Sequence, residues 1–215
     1  MVDLLRLQDC CSVVIQKDNA ETRVQAAKII AAGGVIAFRT DTFYGLGVDP
    51  LNSSAVRRVR ELKGREEAKP ILILISDMSE WERFIGEPSG IFGMIAIGHW
   101  PAPLTLIGPA RAELPAELTA GTHSIGVRLP DDDNVRALVR ACGGALTATS
   151  ANISRQPPAR TAEDVQAYFS AGIDLIIDSG EVTTTLPSTV LDLSGGEPRL
   201  LREGAVARED LEDVW

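Results

Sequence analysis

Hydrophobic and polar residues follow two periods along this chain, one helical and one extended. Apolar residues recur at helical spacing over residues 21–32, and Gly33-Gly34 then predicts the end of that helix. Residues 35–38 form a short apolar run of the kind that is buried on both faces in α/β proteins. The polar residues that follow, 39–42, lie just past a strand end, where ligands often bind.

The helical period predicts three further helices. One runs from a cap at Asn52 or Ser53 through residue 62, with one apolar face, and its arginines are expected to point into solvent. Another covers residues 135–141. The last covers residues 161–171 and begins at an N-cap threonine, with Asp164 three residues later as a weakened capping box.

The extended period predicts eight strands and one turn. Residues 44–47 are predicted to form a tight turn, because their two glycines permit positive φ or close approach of the backbone. Besides residues 35–38, strands are predicted over residues 70–75, 104–107, 125–129, 145–149, 175–177, 189–193 and 199–201.

The strands outnumber the helices and do not alternate with them regularly. This order favours a twisted mixed sheet with flanking helices over a regular doubly wound fold, and it indicates the α/β class. No internal repeat or low-complexity linker interrupts the 215 residues, and Gly and Pro are scattered as turn residues. We therefore expect a single domain over residues 1–215.

Composition narrows the classes of function. The formal net charge of -9 argues against a broad surface for nucleic acid, although a local basic patch could still contact RNA. Cys10, Cys11 and Cys142 are expected to be reduced thiols, and two histidines without a Cys-x-x-Cys pair provide no ligands for a structural zinc ion. Charged residues among the first 20 exclude a signal peptide or membrane span, so we expect a cytoplasmic protein.

Three groups of polar residues stand at predicted element ends. Lys63-Gly64-Arg65 and the nearby Lys69-Pro70 offer ammonium and guanidinium groups to an anion, although Lys63 could simply favour the negative end of a helix dipole. Ser150 and Asn152 follow an apolar run and could bond phosphate or ribose, or could form an ordinary Ser/Asn turn. Ser188, Arg199 and Arg202 supply a third polar group, and a nucleotide triphosphate is the leading ligand for all of them.

Ser124 and Arg128 lie four residues apart, and therefore on one side of a predicted strand. An arginine at the end of a buried strand needs an anionic partner. Residues 131–133, three consecutive aspartates, could be that partner, could bind a cation, or could form a solvated acidic loop. The P-loop and Rossmann fingerprints are absent, and neither histidine lies in the context of an activated nucleophile.

Taken together, these segments resemble the YrdC/Sua5 family in order and spacing over roughly residues 20–206. Lys63-x-Arg65 combined with Ser150-x-Asn152 is specific to that family. The chain departs from the family pattern at Arg39, Ala102 and Leu74, where Pro, Gly and His are usual. The other segments that match are Arg39 to Gly47, Lys69-Pro70, Pro101 to Ile107, Gly126 to Pro130 and Ser188 to Val190.

The resemblance implies a YrdC-like twisted sheet around a large concave cavity, in the short type that lacks a C-terminal domain. It implies an L-threonylcarbamoyladenylate synthase, a nucleotidyltransferase that makes threonylcarbamoyl-AMP and pyrophosphate from L-threonine, bicarbonate and ATP for t6A37 modification of tRNA. Mg²⁺ would arrive with ATP, no metal would be bound by the protein itself, and t6A-transfer proteins would act downstream. A weak contact with tRNA is an additional expectation.

Residue roles are carried over by motif. Lys63 and Arg65 are the expected catalytic residues. Thr42, Arg128 and Ser188 are expected to bind threonine, with Arg128 on its carboxylate. The expected ATP-binding residues are Lys63, Arg65, Lys69, Ser124, Ser150, Asn152 and Arg202.

Two other functions are compatible with the sequence. One is a non-catalytic RNA-binding module of the same fold, against which the acidic composition weighs. The other is a carbamoyl-adenylate transferase, as in the related domain of hydrogenase maturation proteins, which carry extra domains and zinc-finger cysteines.

Overall fold

The computed structural model describes residues 13–64, 69–154, 156–195 and 197–214. Within these ranges the chain forms eleven strands and six α-helices. Two short 3-10 helices, Met78–Arg83 and Glu209–Val214, complete the regular structure. No helix in these ranges combines the length and apolarity that crossing a bilayer requires.

The strands form two mixed sheets rather than the single sheet that the sequence predicts. The five-stranded sheet has the order β1-β9-β2-β3-β8, and the six-stranded sheet has the order β11-β10-β5-β6-β4-β7. Each sheet contains both parallel and antiparallel pairs, so the predicted α/β class with mixed pairing is confirmed. The strands are β1 (Ile15–Lys17), β2 (Ile36–Arg39), β3 (Tyr44–Gly47), β4 (Ile73–Ile75), β5 (Leu104–Pro109), β6 (Ser124–Arg128), β7 (Ala145–Thr147), β8 (Thr149–Ser150), β9 (Leu175–Asp178), β10 (Thr189–Asp192) and β11 (Arg199–Arg202).

One segment passes from the six-stranded sheet into the five-stranded sheet. Residues 145–149, predicted as one strand, divide at Ala148 into β7, which pairs with β4, and β8, which pairs with β3. At the division the Thr147 amide donates to the Val48 carbonyl, and the Ala148 amide donates to the Leu72 carbonyl at 2.8 Å. The prediction of one sheet fails here because an apolar run carries no signal of which neighbour its amides will bond.

Helix boundaries agree closely with the hydrophobic pattern. Asn52 caps α2 through the Ala55 amide, and Gly64 ends that helix with a positive φ of 54°. Thr161 and Asp164 form the predicted capping box at the start of α6. The helices are α1 (Ala20–Ala31), α2 (Ser53–Lys63), α3 (Gly90–His99), α4 (Ala116–Thr119), α5 (Asp133–Ala141) and α6 (Ala162–Tyr168).

Strand β2 is buried on both faces, as the apolar run predicts. Ile36 and Phe38 pack into a core with α1 and α5, whereas Val35 and Ala37 pack into the larger core on the other side. Alternation along an extended strand produces this division. The five-stranded sheet is therefore covered on both faces at β2.

The turn predicted at residues 44–47 is wrong, because these residues form strand β3 and pair antiparallel with β2. The glycines serve close packing instead of a turn. A Cβ atom at Gly47 would lie 2.7 Å from the Phe38 ring, so this position excludes any side chain.

Candidate functional site

A cavity of ≈ 520 Å³ opens where the two sheets meet. Its volume lies within the range of small-molecule sites. Residues Ala148, Thr149 and Ser150, at the division between β7 and β8, form one wall. The other lining residues are Thr40, Thr42, Phe43, Tyr44, Gly45, Pro70, Leu72, Arg128, Asn152, Pro158, Pro187, Ser188 and Arg202.

Arg128 ends β6 at the cavity and is 2% exposed. Its Nη2 atom lies 3.1 Å from Oδ1 of Asp41, whose side chain is equally buried. The Nη1 atom makes a long 3.4 Å contact with the Thr42 hydroxyl, and Nε has no hydrogen-bond partner among the described residues. Burial lowers the pKa of Arg128, and the charge of Asp41 opposes this effect.

Asp41 is the partner of Arg128, and the suggestion that residues 131–133 supply it is wrong. Asp132 instead caps α5 and pairs with Arg39 at 2.9 Å, and Asp133 pairs with Arg136 one turn along the helix. These aspartates therefore secure the start of α5. Burial raises the pKa of Asp41, with the charge of Arg128 opposing it.

The loop between β2 and β3 places Thr42 beside Arg128. The Thr40 hydroxyl donates to the Phe43 carbonyl at 2.7 Å and accepts from the amides of Thr42 and Phe43. Thr40 also lies 3.1 Å, oxygen to oxygen, from the Thr42 hydroxyl. Sequence reasoning selected Thr42 but missed Thr40 and Asp41, although a Thr-Asp-Thr run directly after a buried strand is the kind of signal that finds them.

Arg202, at the end of β11, forms a second cationic wall of the cavity. Its Nε donates to the Ser188 carbonyl at 3.0 Å and its Nη2 to the Ser188 hydroxyl at 3.1 Å. The same hydroxyl lies 3.1 Å from the Thr105 hydroxyl. Partial burial lowers the pKa of Arg202, and the nearby charge of Arg128 lowers it further. Two guanidinium groups thus face one cavity.

Lys63 ends α2 behind the Ser150–Asn152 wall and is 5% exposed. Its ammonium contacts both oxygens of Ser150 and, at 3.0 and 3.1 Å, the main-chain and side-chain oxygens of Asn152. The Ser150 hydroxyl donates to the Asn152 side chain at 2.6 Å. The structure therefore brings Lys63, Ser150 and Asn152 together, as their shared sequence motif predicts, but only Ser150 and Asn152 line the cavity.

Three other predicted residues lie apart from the lining. Ser124 begins β6, at the opposite end of the strand from Arg128, and its hydroxyl contacts that of Thr122 at 3.2 Å. Lys69 is exposed beside the lining residue Pro70. Arg65 falls outside the described residues, as do Cys10 and Cys11.

The arginines of α2, which the sequence places in solvent, bond to neighbouring elements. Arg57 pairs with Glu117 at 2.7 Å, Arg58 with Asp174 at 3.3 Å, and Arg60 donates to the Lys69 carbonyl at 3.0 Å. They hold α2 in place, so they do not form an unpartnered stripe for nucleic acid.

The departures from the family pattern lie outside the cavity lining. Leu74 is fully buried in the core beside α1 and α5, while its neighbour Leu72 lines the cavity. Arg39 pairs with Asp132 and contacts the Ser179 carbonyl at 3.3 Å.

The lining has a distinct chemistry. It offers two guanidinium groups, several hydroxyls and one amide, and its described residues include no carboxylate, imidazole or thiol. Tyr44 does not offer a base either, because burial raises the pKa of its phenol to about 12 and so favours the protonated form. The described residues contain no cluster of three or more His, Cys, Asp or Glu that could hold a metal ion. Such a site can position and neutralise anions but supplies no strong general base.

A family model for the Sua5, YciO and YrdC proteins, described as "Telomere recombination", matches residues 28–204. The chain belongs to the Sua5/YciO/YrdC family. Within that family, it is 37% identical over 189 residues to the threonylcarbamoyl-AMP synthase of Pyrococcus abyssi, covering 88% of this chain and 56% of that protein. It is 39% identical over 167 residues to the threonylcarbamoyl-AMP synthase of Thiobacillus denitrificans, covering 77% of this chain and 87% of that protein.

The family fold is equally evident in solved structures. The structure of P. abyssi Sua5 complexed with L-threonine superposes with a TM-score of 0.87 at 35% identity, over 94% of this chain and 60% of that chain. The chain thus spans little more than half the length of the P. abyssi member of the family.

Proposed function

We propose that this chain is an L-threonylcarbamoyladenylate synthase, which condenses L-threonine, bicarbonate and ATP into threonylcarbamoyl-AMP and releases pyrophosphate. The observation that carries this proposal is the single cavity onto which Arg128 and Arg202 both face, at positions that match the family motifs. A reaction between a substrate that carries a carboxylate and a nucleotide triphosphate needs two anion sites in one enclosure. Relatives named threonylcarbamoyl-AMP synthase support the assignment.

The chemistry suits a site without a strong base. The threonine nitrogen takes up bicarbonate to give a carbamate and water, and a carbamate oxygen then attacks the α-phosphorus of ATP. The bond from that phosphorus to the bridging oxygen breaks, and pyrophosphate leaves with the electron pair. The carbamate is already an anionic nucleophile, so positioning and charge stabilisation carry this step.

The residues divide by ligand. Arg128 would bind the threonine carboxylate, with Thr42 and Ser188 nearby, and a planar guanidinium suits that group. Arg202, Ser150 and Asn152 would contact the nucleotide from the other walls of the cavity. Lys63, Arg65, Lys69 and Ser124 stay predicted nucleotide contacts.

Mg²⁺ would enter as part of the Mg-ATP substrate, held by phosphate oxygens, which is the usual way that this ion binds at nucleotide sites. The product would serve t6A37 modification of tRNA through separate transfer proteins, in the cytoplasm. This chain's own role in that sequence would end with the release of the adenylate.

The test is pyrophosphate release from Mg-ATP by the purified protein, with mass detection of the adenylate. Threonine and bicarbonate are each omitted in turn. Release that requires both, together with detection of threonylcarbamoyl-AMP, is the expected result. No release, or release that needs neither, would contradict the proposal. Salt-dependent RNA binding without turnover would then indicate a binding module, and carbamoyl-adenylate formed from ATP and an added carbamoyl donor such as carbamoyl phosphate, without threonine, would indicate a transferase.

A further inference from the structure

Asp41 is buried in a way that differs from the other paired aspartates of the chain. Its side chain is 5% exposed, and neither carboxylate oxygen accepts a well-formed side-chain hydrogen bond from the described residues, while the main-chain amides of Asp131 and Asp41 help to lower its pKa against the effect of burial. Asp18, by comparison, accepts two hydrogen bonds from Arg23 at 2.7 and 3.0 Å and one from Ser179. Buried carboxylates are normally hydrogen-bonded because desolvation is costly. Asp41 therefore contributes to this fold mainly through its charge.

That charge acts on Arg128. Asp41 Oδ1 lies 3.1 Å from Nη2, so the pair has a net charge near zero at the cavity wall. The guanidinium still has donor capacity, since Nη1 makes only the 3.4 Å contact with Thr42 and Nε has no described partner. Arg128 can thus donate hydrogen bonds to a ligand while Asp41 balances its positive charge.

Arg202 presents the opposite case. Its contacts at 3.0 and 3.1 Å are with the carbonyl and hydroxyl of Ser188, which are neutral groups. Attraction between Arg202 and an anion therefore grows with the charge of the anion. At Arg128 the attraction of added negative charge is offset by repulsion from Asp41, so a second charge on the ligand gains little there and the hydrogen bonds of the guanidinium hold the ligand instead.

We propose that Asp41 is a positioning residue that restricts Arg128 to a singly charged carboxylate and leaves multiply charged phosphates to Arg202. This inference rests on the proposed function only in taking the carboxylate to be that of threonine. It explains how two guanidinium groups in one cavity bind two different anions without exchanging them. A merely structural role, in which Asp41 ties the end of β2 to the end of β6, predicts no change in anion selectivity.

The experiment compares L-threonine with its phosphonate analogue, in which a phosphonate replaces the carboxylate. Both are titrated calorimetrically into the wild-type protein, without nucleotide, and into Asp41→Asn, which keeps the shape and removes the charge. Wild type should prefer threonine by roughly tenfold or more, and the preference in Asp41→Asn should fall by about tenfold, as expected for loss of one partly screened charge. The matched control is Asp18→Asn, which alters an aspartate–arginine pair outside the cavity lining and should leave the preference unchanged.

An unchanged preference in folded Asp41→Asn would overturn the inference, and so would a wild-type protein that binds the phosphonate as tightly as threonine or binds neither. The wild-type comparison stands even if the variant fails to fold. The outcomes also separate the two proposals. A shifted preference without pyrophosphate release contradicts the synthase alone, whereas full synthase activity with an unshifted preference contradicts only the role of Asp41.

Discussion

Lys63 and Arg128, the two buried cations of the described ranges, are stabilised by different means. The four described contacts of the Lys63 ammonium are with neutral oxygens of Ser150 and Asn152, one more than its three protons can serve individually. Arg128 has a buried carboxylate partner, Asp41, and incomplete hydrogen bonding. The donors of Lys63 are used within the chain, whereas the Arg128 guanidinium has donors left for a ligand.

The difference teaches that burial of a cation does not by itself indicate its role. A cation whose donors are satisfied by main-chain oxygens stabilises the local backbone, here the turn that carries Ser150 and Asn152 into the cavity. A cation with unused hydrogen-bond donors gives up fewer existing hydrogen bonds when it binds a ligand. Substitutions of Lys63 and of Arg128 should therefore separate effects on stability from effects on substrate affinity.

Lys63→Met should have the largest effect. The change leaves the Ser150 and Asn152 oxygens without their donor, so the free energy of unfolding should fall by about 1 to 3 kcal/mol. Pyrophosphate release should fall by 10²-fold or more, the order expected when a transition-state donor or its support is removed. Urea unfolding and the release assay measure the two effects, and Lys28→Met, on an exposed face of α1, is the control. Turnover near that of wild type would contradict the assignment of Lys63.

Arg128→Lys should come next, and it should act on one substrate. The ammonium keeps the charge beside Asp41 but cannot form the planar two-donor contact with a carboxylate. We expect the KM for threonine to rise roughly 10- to 100-fold, the equivalent of one or two charged hydrogen bonds. The KM for ATP should change little. An equal rise in both constants would remove the distinction between the Arg128 and Arg202 walls.

Arg202→Ala should affect the binding of ATP rather than that of threonine, and its effect should be smaller than that of Arg128→Lys. Arg202 is exposed and its partners are neutral, so its loss leaves no buried charge unpaired. Stability should change by no more than about 0.5 kcal/mol, as at most surface positions. Steady-state kinetics should show a higher KM for ATP and an unaltered KM for threonine; a change confined to threonine would contradict the proposed division of ligands.

Ser150→Ala should have the smallest effect among these substitutions, and it tests the contacts of the Lys63 ammonium. The hydroxyl supplies the 3.3 Å contact with the ammonium and the 2.6 Å hydrogen bond to the Asn152 side chain, while the Ser150 and Asn152 carbonyls remain. Unfolding should cost about 0.5 to 1.5 kcal/mol less than in wild type, the usual contribution of one hydrogen bond. A loss as large as that of Lys63→Met would mean that the hydroxyl, and not the main chain, holds the ammonium.

Local chemistry in the sequence predicted helix ends well, but α3, α4 and β1 were not predicted. The caps at Asn52 and Thr161 and the ending of α2 at Gly64 depend on neighbouring residues alone, and each was confirmed. Long-range pairing was not accessible in this way. Nothing within residues 145–150 reveals that the run changes sheets at Ala148, because that choice belongs to β3 and β4.

The candidate site shows the same limit. Motif spacing brought Lys63, Ser150 and Asn152 together correctly, and it placed Thr42, Arg128, Ser188 and Arg202 on one cavity. The sequence left the partner of Arg128 open, with residues 131–133 as one candidate, because Asp41 is 87 positions earlier and adjacent only in space. Pairing between strand ends is decided by sheet topology, which a linear pattern does not contain.

The crossing at Ala148 has a consequence for motion. The Thr147 amide bonds across the junction of the sheets to Val48, the Ala148 amide bonds beside it to Leu72, and Ala148 is also a wall of the cavity. These amides can exchange with deuterium only when the junction itself opens, so occupancy of the cavity should slow their exchange more than that of amides at the far edges of either sheet. The cavity and the junction between the sheets would then open as a single cooperative unit.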